Sequence, residues 1–135
     1  MNDLIDGIFK KWHTYAEVQN IKALAALYSD DALFESPLIP IILGGSLGVL
    51  RGRPAIEQFF EKAAQIRSDK PINWFRTGDY FTDGKTLVWE YPRETPDGQQ
   101  FDVLEVMEID SGKIKKHRVY MGWYSCENLF GASPP

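Results

Sequence analysis

Residues 100–125, QFDVLEVMEIDSGKIKKHRVYMGWYS, decide the fold that this sequence predicts. Apolar and polar side chains alternate on both sides of DSG at 110–112, which is typical of a tight turn between antiparallel strands. The pattern predicts strands at 100–110 and 113–125 that pair as a hairpin. A period of two over so many residues argues against a helix in this part of the chain.

The same period of two continues upstream of that hairpin. Turn sequences at 83–84 and 96–98 separate two further predicted strands, at 72–82 and 85–93. Nearer the N-terminus apolar residues recur every three to four positions, which indicates amphipathic helices. The predicted helices are 3–18, 20–29 and 54–67. A short strand is predicted at 32–36, and 37–52, with two prolines and a glycine run, is expected to be irregular.

Helices first and strands afterwards predict a single α+β domain that covers residues 1–135. We expect three N-terminal helices packed on a strongly curved, mostly antiparallel sheet of six or fewer strands. A long antiparallel sheet twists, and helices on its concave face can leave a space at the open end. The expected architecture is therefore a cone with an internal pocket.

Composition excludes several classes of function. The net charge of −4 and the pI near 5.1 argue against nucleic acid and anionic membrane surfaces as partners. One cysteine, Cys126, and two histidines, His13 and His117, lack metal-ligand spacing, so we expect no metal and no cofactor. Acidic Asp3 and Asp6 stand where a signal peptide needs basic residues, and no apolar run could span a bilayer, so a cytoplasmic location is expected.

Strand alternation places one carboxylate and one imidazole on faces that are otherwise apolar. Glu105 lies among apolar residues of the third long strand, and His117 shares a face with apolar residues of the fourth, whereas His13 is expected at the surface. The inward-facing residues expected to line the pocket are Trp12, Tyr15, Phe34, Ser36, Trp89, Tyr91, Val103, Met121 and Trp123.

The turn at 110–112 sets the predicted distance between Glu105 and His117. A three-residue turn with Gly112 left-handed places the two directly opposite each other, within hydrogen-bond reach. This register turns Lys115 inward. A bulge near Ile114 would remove that conflict and shift the pairing by one residue.

Two interpretations of this pair remain open. Glu105 and His117 could form an acid/base pair in a dry cavity, where burial raises a carboxyl pKa and an imidazole partner favours the ionised form. Alternatively, they could be a satisfied structural pair, or Glu105 could be paired with a lysine or arginine instead.

Three segments resemble a known superfamily over nearly the whole chain. LAALYSDDALFESP at 24–37 looks like a helix-to-strand junction of that superfamily, RGRPAIEQFF at 51–60 like the start of its third helix, and DSGKI at 110–114 like its last hairpin. The superfamily is that of nuclear transport factor 2-like proteins, in its ketosteroid isomerase and SnoaL-like polyketide cyclase branch. The resemblance implies a cystatin-like architecture and a pocket for a small hydrophobic molecule.

Residue by residue, the resemblance implies partly altered chemistry. The proton-transferring Asp of the isomerases falls at Ser36, and a hydroxyl is no base near neutral pH, which argues against ordinary steroid isomerisation. Their oxyanion-holding Tyr falls at Trp12, with Tyr15 a turn away. Their protonated Asp falls at Glu105, which keeps a carboxyl in place.

Two functions follow as expectations. The first is an isomerase or a cyclase-type lyase that moves a proton on a small hydrophobic carbonyl compound. Glu105 or His117 would act as the base, and Tyr15 or Trp12 would steady developing negative charge. The alternative is a non-catalytic binding module of the same fold. The resemblance also implies a homodimer formed through the outer sheet face.

Overall fold

The protein was analysed as a computed structural model that describes residues 3–66, 73–74, 79–90, 93–94 and 100–130. The helices are α1 Asp3–Glu17, α2 Ile21–Ala25, α3 Leu38–Leu43, α4 Arg53–Ile66 and α5 Trp123–Phe130. The strands are β1 Tyr28–Glu35, β2 Val49–Arg51, β3 Asn73–Trp74, β4 Phe81–Thr82, β5 Thr86–Glu90, β6 Arg93–Glu94, β7 Gln100–Phe101, β8 Val103–Asp110 and β9 Lys113–Met121.

The strands form a six-stranded sheet in the order β2-β1-β9-β8-β5-β4 and a three-stranded sheet in the order β3-β6-β7. Strand β1 runs parallel to β9 and the other pairs are antiparallel, so the larger sheet is mixed. The predicted α+β class is confirmed. The predicted strong curvature is wrong, because the sheet is not strongly curled. The strands at the two edges of the sheet are short, with three residues in β2 and two in β4, so they add little to the twist of the longer central strands.

The apolar stripe of α1 packs against the inner face of the larger sheet. Ile5, Ile8 and Trp12, spaced three and four residues apart, are its buried residues. Burial of an aliphatic side chain of this kind contributes roughly 1.5–3 kcal/mol. Helix α2 is capped by Asn20, whose side chain accepts the Ala23 backbone N–H at 3.3 Å.

Helix α3 corrects the expectation of an irregular segment and of only three helices. Pro37 stands at its N-cap and Pro40 within its first turn, where a backbone N–H has no partner inside the helix. Two prolines are therefore compatible with this short helix. Its end at Gly44, with φ 83°, follows the usual preference for glycine after a helix.

The predicted strand at 113–125 ends early. Strand β9 stops at Met121, and Trp123 begins α5, so the alternation that seemed to extend through Trp123 is interrupted at Gly122. The Gly122 N–H donates to the Asp102 carbonyl at 2.8 Å, and a Cβ on Gly122 would lie 3.0 Å from the Asp102 side chain. Ser125 Oγ bridges both backbone groups of Asp102 at 2.7 Å, which holds α5 at the β7–β8 junction.

Three other predicted strands are each divided into two pieces. The prediction at 72–82 corresponds to β3 and β4, and the prediction at 85–93 to β5 and β6; in each case the two pieces belong to different sheets. The prediction at 100–110 is interrupted at Asp102, whose backbone N–H binds Ser125 Oγ instead of a neighbouring strand. Period two persists through such interruptions, so the sequence does not reveal them.

The β8–β9 hairpin has a tighter turn than the sequence predicts. Asp110 pairs directly with Lys113, and the two residues between them have positive φ, 52° at Ser111 and 79° at Gly112. This is the geometry of a two-residue type I′ turn. The register then shifts by one residue at Lys115, so the bulge considered as an alternative is present.

None of the helices in the described part of the chain is long and apolar enough to cross a membrane.

Two glycine-to-alanine substitutions should change stability in opposite directions. Gly112→Ala forces a Cβ into the left-handed region and should lower the free energy of unfolding by about 1–2 kcal/mol. Gly7→Ala lies within α1 with open space around the new Cβ and should raise it by roughly 0.5–1 kcal/mol. Urea unfolding measures both. Equal effects of the two substitutions would contradict the turn geometry.

Candidate functional site

Glu105 and His117 form a buried pair between β8 and β9. Their side chains are 8 % and 1 % exposed, and His117 Nε2 lies 2.6 Å from Glu105 Oε2. The predicted hydrogen-bond contact is therefore confirmed. A buried carboxylate needs such a partner, because its transfer from water to an apolar interior is costly when it is unpaired.

The register that produces this contact differs from the prediction. His117 pairs with Met107, and Glu105 pairs with Val119, so Glu105 and His117 are diagonal neighbours instead of directly opposite ones. Diagonal side chains on one face of a sheet remain within reach when both are long. The bulge at Lys115 causes the shift.

Tyr28 joins the pair from β1, and Trp12 joins it from α1. The Tyr28 hydroxyl lies 2.8 Å from His117 Nδ1, and Trp12 Nε1–H donates to that hydroxyl at 3.1 Å. All four side chains are buried. We call Trp12, Tyr28, His117 and Glu105 the buried network.

Sequence analysis missed Tyr28, because it fell inside the helix predicted at 20–29. The available signal was its even spacing from Ala32 and Phe34, which share the inner face of β1. Asp30 has the same even spacing but is exposed, because the register of β1 shifts between Tyr28 and Leu33. That irregularity concealed the signal.

Burial raises the pKa of the Tyr28 phenol well above its usual range. Hydrogen-bond donation by Trp12 lowers this pKa, and the nearby charge of Glu105 raises it further. The phenol therefore stays protonated at physiological pH and acts in the buried network as a hydroxyl.

Aromatic rings lie around the pair, and three of them, at Trp12, Phe34 and Trp89, belong to residues that the sequence predicts to face inward. The Phe34 ring centroid is 4.8 Å from that of His117, and the Trp12 centroid is 6.2 Å from it. Trp89 contacts Trp12 at a centroid distance of 5.5 Å and pairs directly with Glu105 across β5 and β8. The fold thus brings these rings and the acid/base pair together.

Two polar atoms beside the pair are left without a hydrogen-bond partner among the described residues. One is Glu105 Oε1, since the only bond of that carboxylate is made by Oε2. The other is Trp89 Nε1, which is fully enclosed, whereas Glu105 Oε1 is not sealed off. The enclosed Trp89 N–H is a donor and Glu105 Oε1 is an acceptor, and the two residues pair across neighbouring strands.

His13 lies in the same region, and its predicted surface position is wrong. It is half-buried, and its ring centroid is 5.2 Å from that of Trp89. Its Nδ1 lies 2.8 Å from the Phe9 carbonyl. Burial lowers the pKa of His13, while the Phe9 carbonyl and the charge of Glu105 partly oppose that effect, so the imidazole is neutral at pH 7 and above.

Three other predicted site residues face inward near this region. Ser36 is buried, and its hydroxyl accepts the Leu38 N–H at 3.1 Å, so it serves the start of α3. Val103 is buried and pairs with the half-buried Met121 where β8 begins and β9 ends.

Two predicted site residues that the structure describes are not joined to the network, and a third, Tyr91, lies outside the described residues. Tyr15 is half-buried and packs against the core, with no described contact to Glu105 or His117. Trp123 is 60 % exposed on α5, so its predicted inward position is wrong, because the strand ends before it. Within the described part of the chain, no group of three or more His, Cys, Asp and Glu side chains could hold a metal ion.

Comparison with known proteins gives one family and several structural neighbours. The model of the family described as SnoaL-like domain matches residues 9–117. A SnoaL-like protein of unknown function from Burkholderia thailandensis E264 is similar with a TM-score of 0.71 and 17% identity, over 91% of this chain and 98% of that one. The chain has no match among curated proteins.

Two further solved structures are similar at low identity. A putative ketosteroid isomerase from Kribbella flavida DSM 17836 has a TM-score of 0.70 and 14% identity, over 99% of this chain and 93% of that one. TerC, co-crystallised with polyporic acid, has a TM-score of 0.72 and 13% identity, over 96% and 99%. Likeness at this level of identity shows the fold alone.

The two buried tryptophans should respond differently to the same substitution. Trp12→Phe removes a donor and leaves the buried Tyr28 hydroxyl with one partner fewer, whereas Trp89→Phe removes a buried N–H that had no partner. Both substitutions lose similar ring volume. Trp12→Phe should therefore cost about 1–3 kcal/mol more in the free energy of unfolding. Equal losses in urea unfolding would contradict the hydrogen-bond assignment.

Proposed function

The chain belongs to the family of SnoaL-like domains, and on that premise we propose that it is an isomerase- or cyclase-type enzyme. It transfers a proton to and from carbon on a small hydrophobic carbonyl compound. The observation that carries this proposal is a buried carboxylate among aromatic rings, held by an imidazole on one oxygen and without a described partner on the other.

Glu105 is the base in this proposal. His117 has both ring nitrogens engaged, with Tyr28 on Nδ1 and Glu105 on Nε2, so it has no lone pair left for a ligand. Glu105 Oε1 can take a proton from the carbon next to a carbonyl, and the C–H electrons then form an enolate. Return of that proton to another carbon completes an isomerisation. Attack of the enolate carbon on a second carbonyl would instead close a ring, and the proton held by Glu105 would then pass to the alkoxide that this attack forms.

An enolate needs a hydrogen-bond donor for its oxygen. The Trp12 N–H, assigned to this role by resemblance, already donates to Tyr28. The Trp89 N–H is a better candidate, because it has no described partner and its residue pairs directly with Glu105. Tyr15 keeps the role proposed from its position on α1, as a second donor.

The proposed ligand is small and apolar, with one acceptor oxygen. Phe34, Trp12 and Trp89 supply aromatic faces around the acid/base pair, which suits a planar hydrophobic molecule. Trp89 Nε1 is closed off, so a ligand reaches it after a packed side chain moves. The half-buried His13, in contact with Trp89, is a suitable group to move. The pocket expected from the sequence would open in this way.

A non-catalytic binding module is the second candidate, and one observation favours it. Each polar atom of the His117 ring is satisfied by a protein group, and the rings around it are closely packed. Such a pair can be retained for structure alone. In that case the domain would hold a hydrophobic ligand without exchanging its protons.

The two candidates differ in a proton-exchange assay. In D₂O, the purified protein should accelerate deuterium uptake at the carbon next to the carbonyl of 1-indanone, followed by proton NMR. Glu105→Gln keeps the shape of the side chain but removes the base. The protein-dependent rate should then fall on the order of 10²–10⁴-fold.

Glu108→Gln is the matched control for this assay. Glu108 lies on the same strand, is half-buried, and pairs with Arg118 on the outer face. Its substitution should leave the exchange rate unchanged. If the unsubstituted protein binds 1-indanone without accelerating exchange, the binding module is the function to keep. Equal loss of rate in both variants would contradict the role of Glu105.

We also propose that the outer face of the larger sheet joins two copies of the chain. Val88 pairs with Val106 there, and Leu104 pairs with Tyr120, which is half exposed. Their apolar side chains occupy neighbouring central strands. The resemblance described above supports the same arrangement.

A charge in this patch should separate the copies. Light scattering should give about twice the 15.4 kDa mass of one chain for the unsubstituted protein and a single mass for Val88→Lys. Val18→Lys, at a 67 % exposed position after α1, is the control and should remain dimeric. A monomeric unsubstituted protein would contradict the proposal.

A further inference from the structure

The buried network has a single direction of hydrogen-bond donation. We propose that this direction locks His117 in the neutral tautomer with hydrogen on Nε2, and that Tyr28 is thereby a positioning residue for Glu105. Donation runs from Trp12 to Tyr28, from Tyr28 to His117 and from His117 to Glu105. The tautomer rests on the geometry of the described contacts, and its catalytic consequence rests on the proposed function.

The direction begins at Trp12, because an indole nitrogen can only donate. Its N–H points at the Tyr28 oxygen, so that oxygen accepts. The phenol keeps its own hydrogen, since burial raises its pKa. The one described acceptor for that hydrogen is His117 Nδ1, at 2.8 Å.

The position of the His117 hydrogen then follows. Nδ1 uses its lone pair to accept from Tyr28, so the neutral ring carries its hydrogen on Nε2. Nε2–H lies 2.6 Å from Glu105 Oε2 and donates to it. In this arrangement every hydrogen of the buried network has an acceptor. Glu105 Oε2 is the last acceptor of the buried network.

The other protonation patterns leave a buried hydrogen without an acceptor. Hydrogen on Nδ1, in a neutral or a charged ring, would donate to the Tyr28 oxygen across the 2.8 Å contact and turn the phenol hydrogen away from His117. The phenol hydrogen then has no other acceptor among the described residues. An unmade hydrogen bond of this kind is costly in a buried site.

Tyr28 is well fixed for this role. Its backbone carbonyl accepts from Arg53 Nε at 3.0 Å, and its ring lies 5.7 Å from that of Phe60. It contacts His117 and does not contact Glu105 through any described hydrogen bond. If Glu105 is the base, donation by His117 leaves Oε1 as the oxygen that receives the proton, and the imidazole takes no part as an acid.

The test is the nitrogen NMR spectrum of the full chain with ¹⁵N-labelled histidine at pH 7.5. The molecule supplies its own reference, because His13 Nδ1 faces the Phe9 carbonyl, which can only accept. His13 should therefore carry hydrogen on Nδ1 and His117 on Nε2, which gives opposite patterns in one spectrum. The His13→Gln substitution removes the nitrogen signals of His13, so the signals that remain are those of His117.

Tyr28→Phe should release the lock. The two His117 nitrogen shifts should move toward each other, because both tautomers become populated. The 1-indanone exchange rate should fall about tenfold or more, with the binding constant unchanged. Tyr120→Phe, on the outer face of the same sheet, should change neither quantity.

The spectrum of the unsubstituted protein decides the tautomer even if Tyr28→Phe does not fold. A charged His117, or hydrogen on its Nδ1, would overturn the proposal, as would an unaltered spectrum in a folded Tyr28→Phe variant. The proposed function can fail on its own. If His117 carries hydrogen on Nε2 but the protein does not accelerate exchange, the catalytic proposal is wrong and the tautomer assignment still holds.

Discussion

The hydrogen bond between Glu105 and His117 is the contact on which the rest of the interior depends, since both side chains are buried. A carboxylate in such surroundings is tolerated when its partner is fixed, and fixing an imidazole requires control of both nitrogens. Tyr28 supplies the second contact, and Trp12 in turn binds Tyr28. The burial of Glu105 thus accounts for the contacts among the four side chains of the buried network, which lie on four different elements.

The bulge at Lys115 makes this arrangement compatible with the hairpin. Without it, strict alternation from Ile114 would turn the neighbouring residues to the wrong faces. With one extra residue, Ile114 and His117 both lie inside while Lys115 and Lys116 remain exposed. The tight turn and the bulge therefore act together. The turn fixes where the strands begin to pair, and the bulge places the side chains after it on the correct faces of the sheet.

A polar network at this depth is a poor way to gain stability. Apolar side chains of similar volume are often neutral or stabilising in place of a buried ion pair. Trp89, whose enclosed N–H has no hydrogen-bond partner among the described residues, adds a further local cost. Such costs are common where a protein keeps groups ready for a ligand, and the function proposed above uses Glu105 and Trp89 in this way.

Local patterns in the sequence determined several helices and strands and the burial of the acid/base pair. The 3.6 period of α1 and α4, the alternation in β8 and β9, and the burial of Glu105 and His117 are properties of short segments, which periodicity reports directly. Features that depend on contacts between residues far apart in the chain could not be predicted from periodicity. Ser125 interrupts β7 and β8 by binding Asp102, and the network reaches Tyr28 and Trp12 across 89 and 16 residues of chain, respectively. Periodicity assigns a side chain to a face, but only the tertiary structure decides which partner it meets there, because hydrogen bonds depend on distances between elements that sequence spacing does not encode.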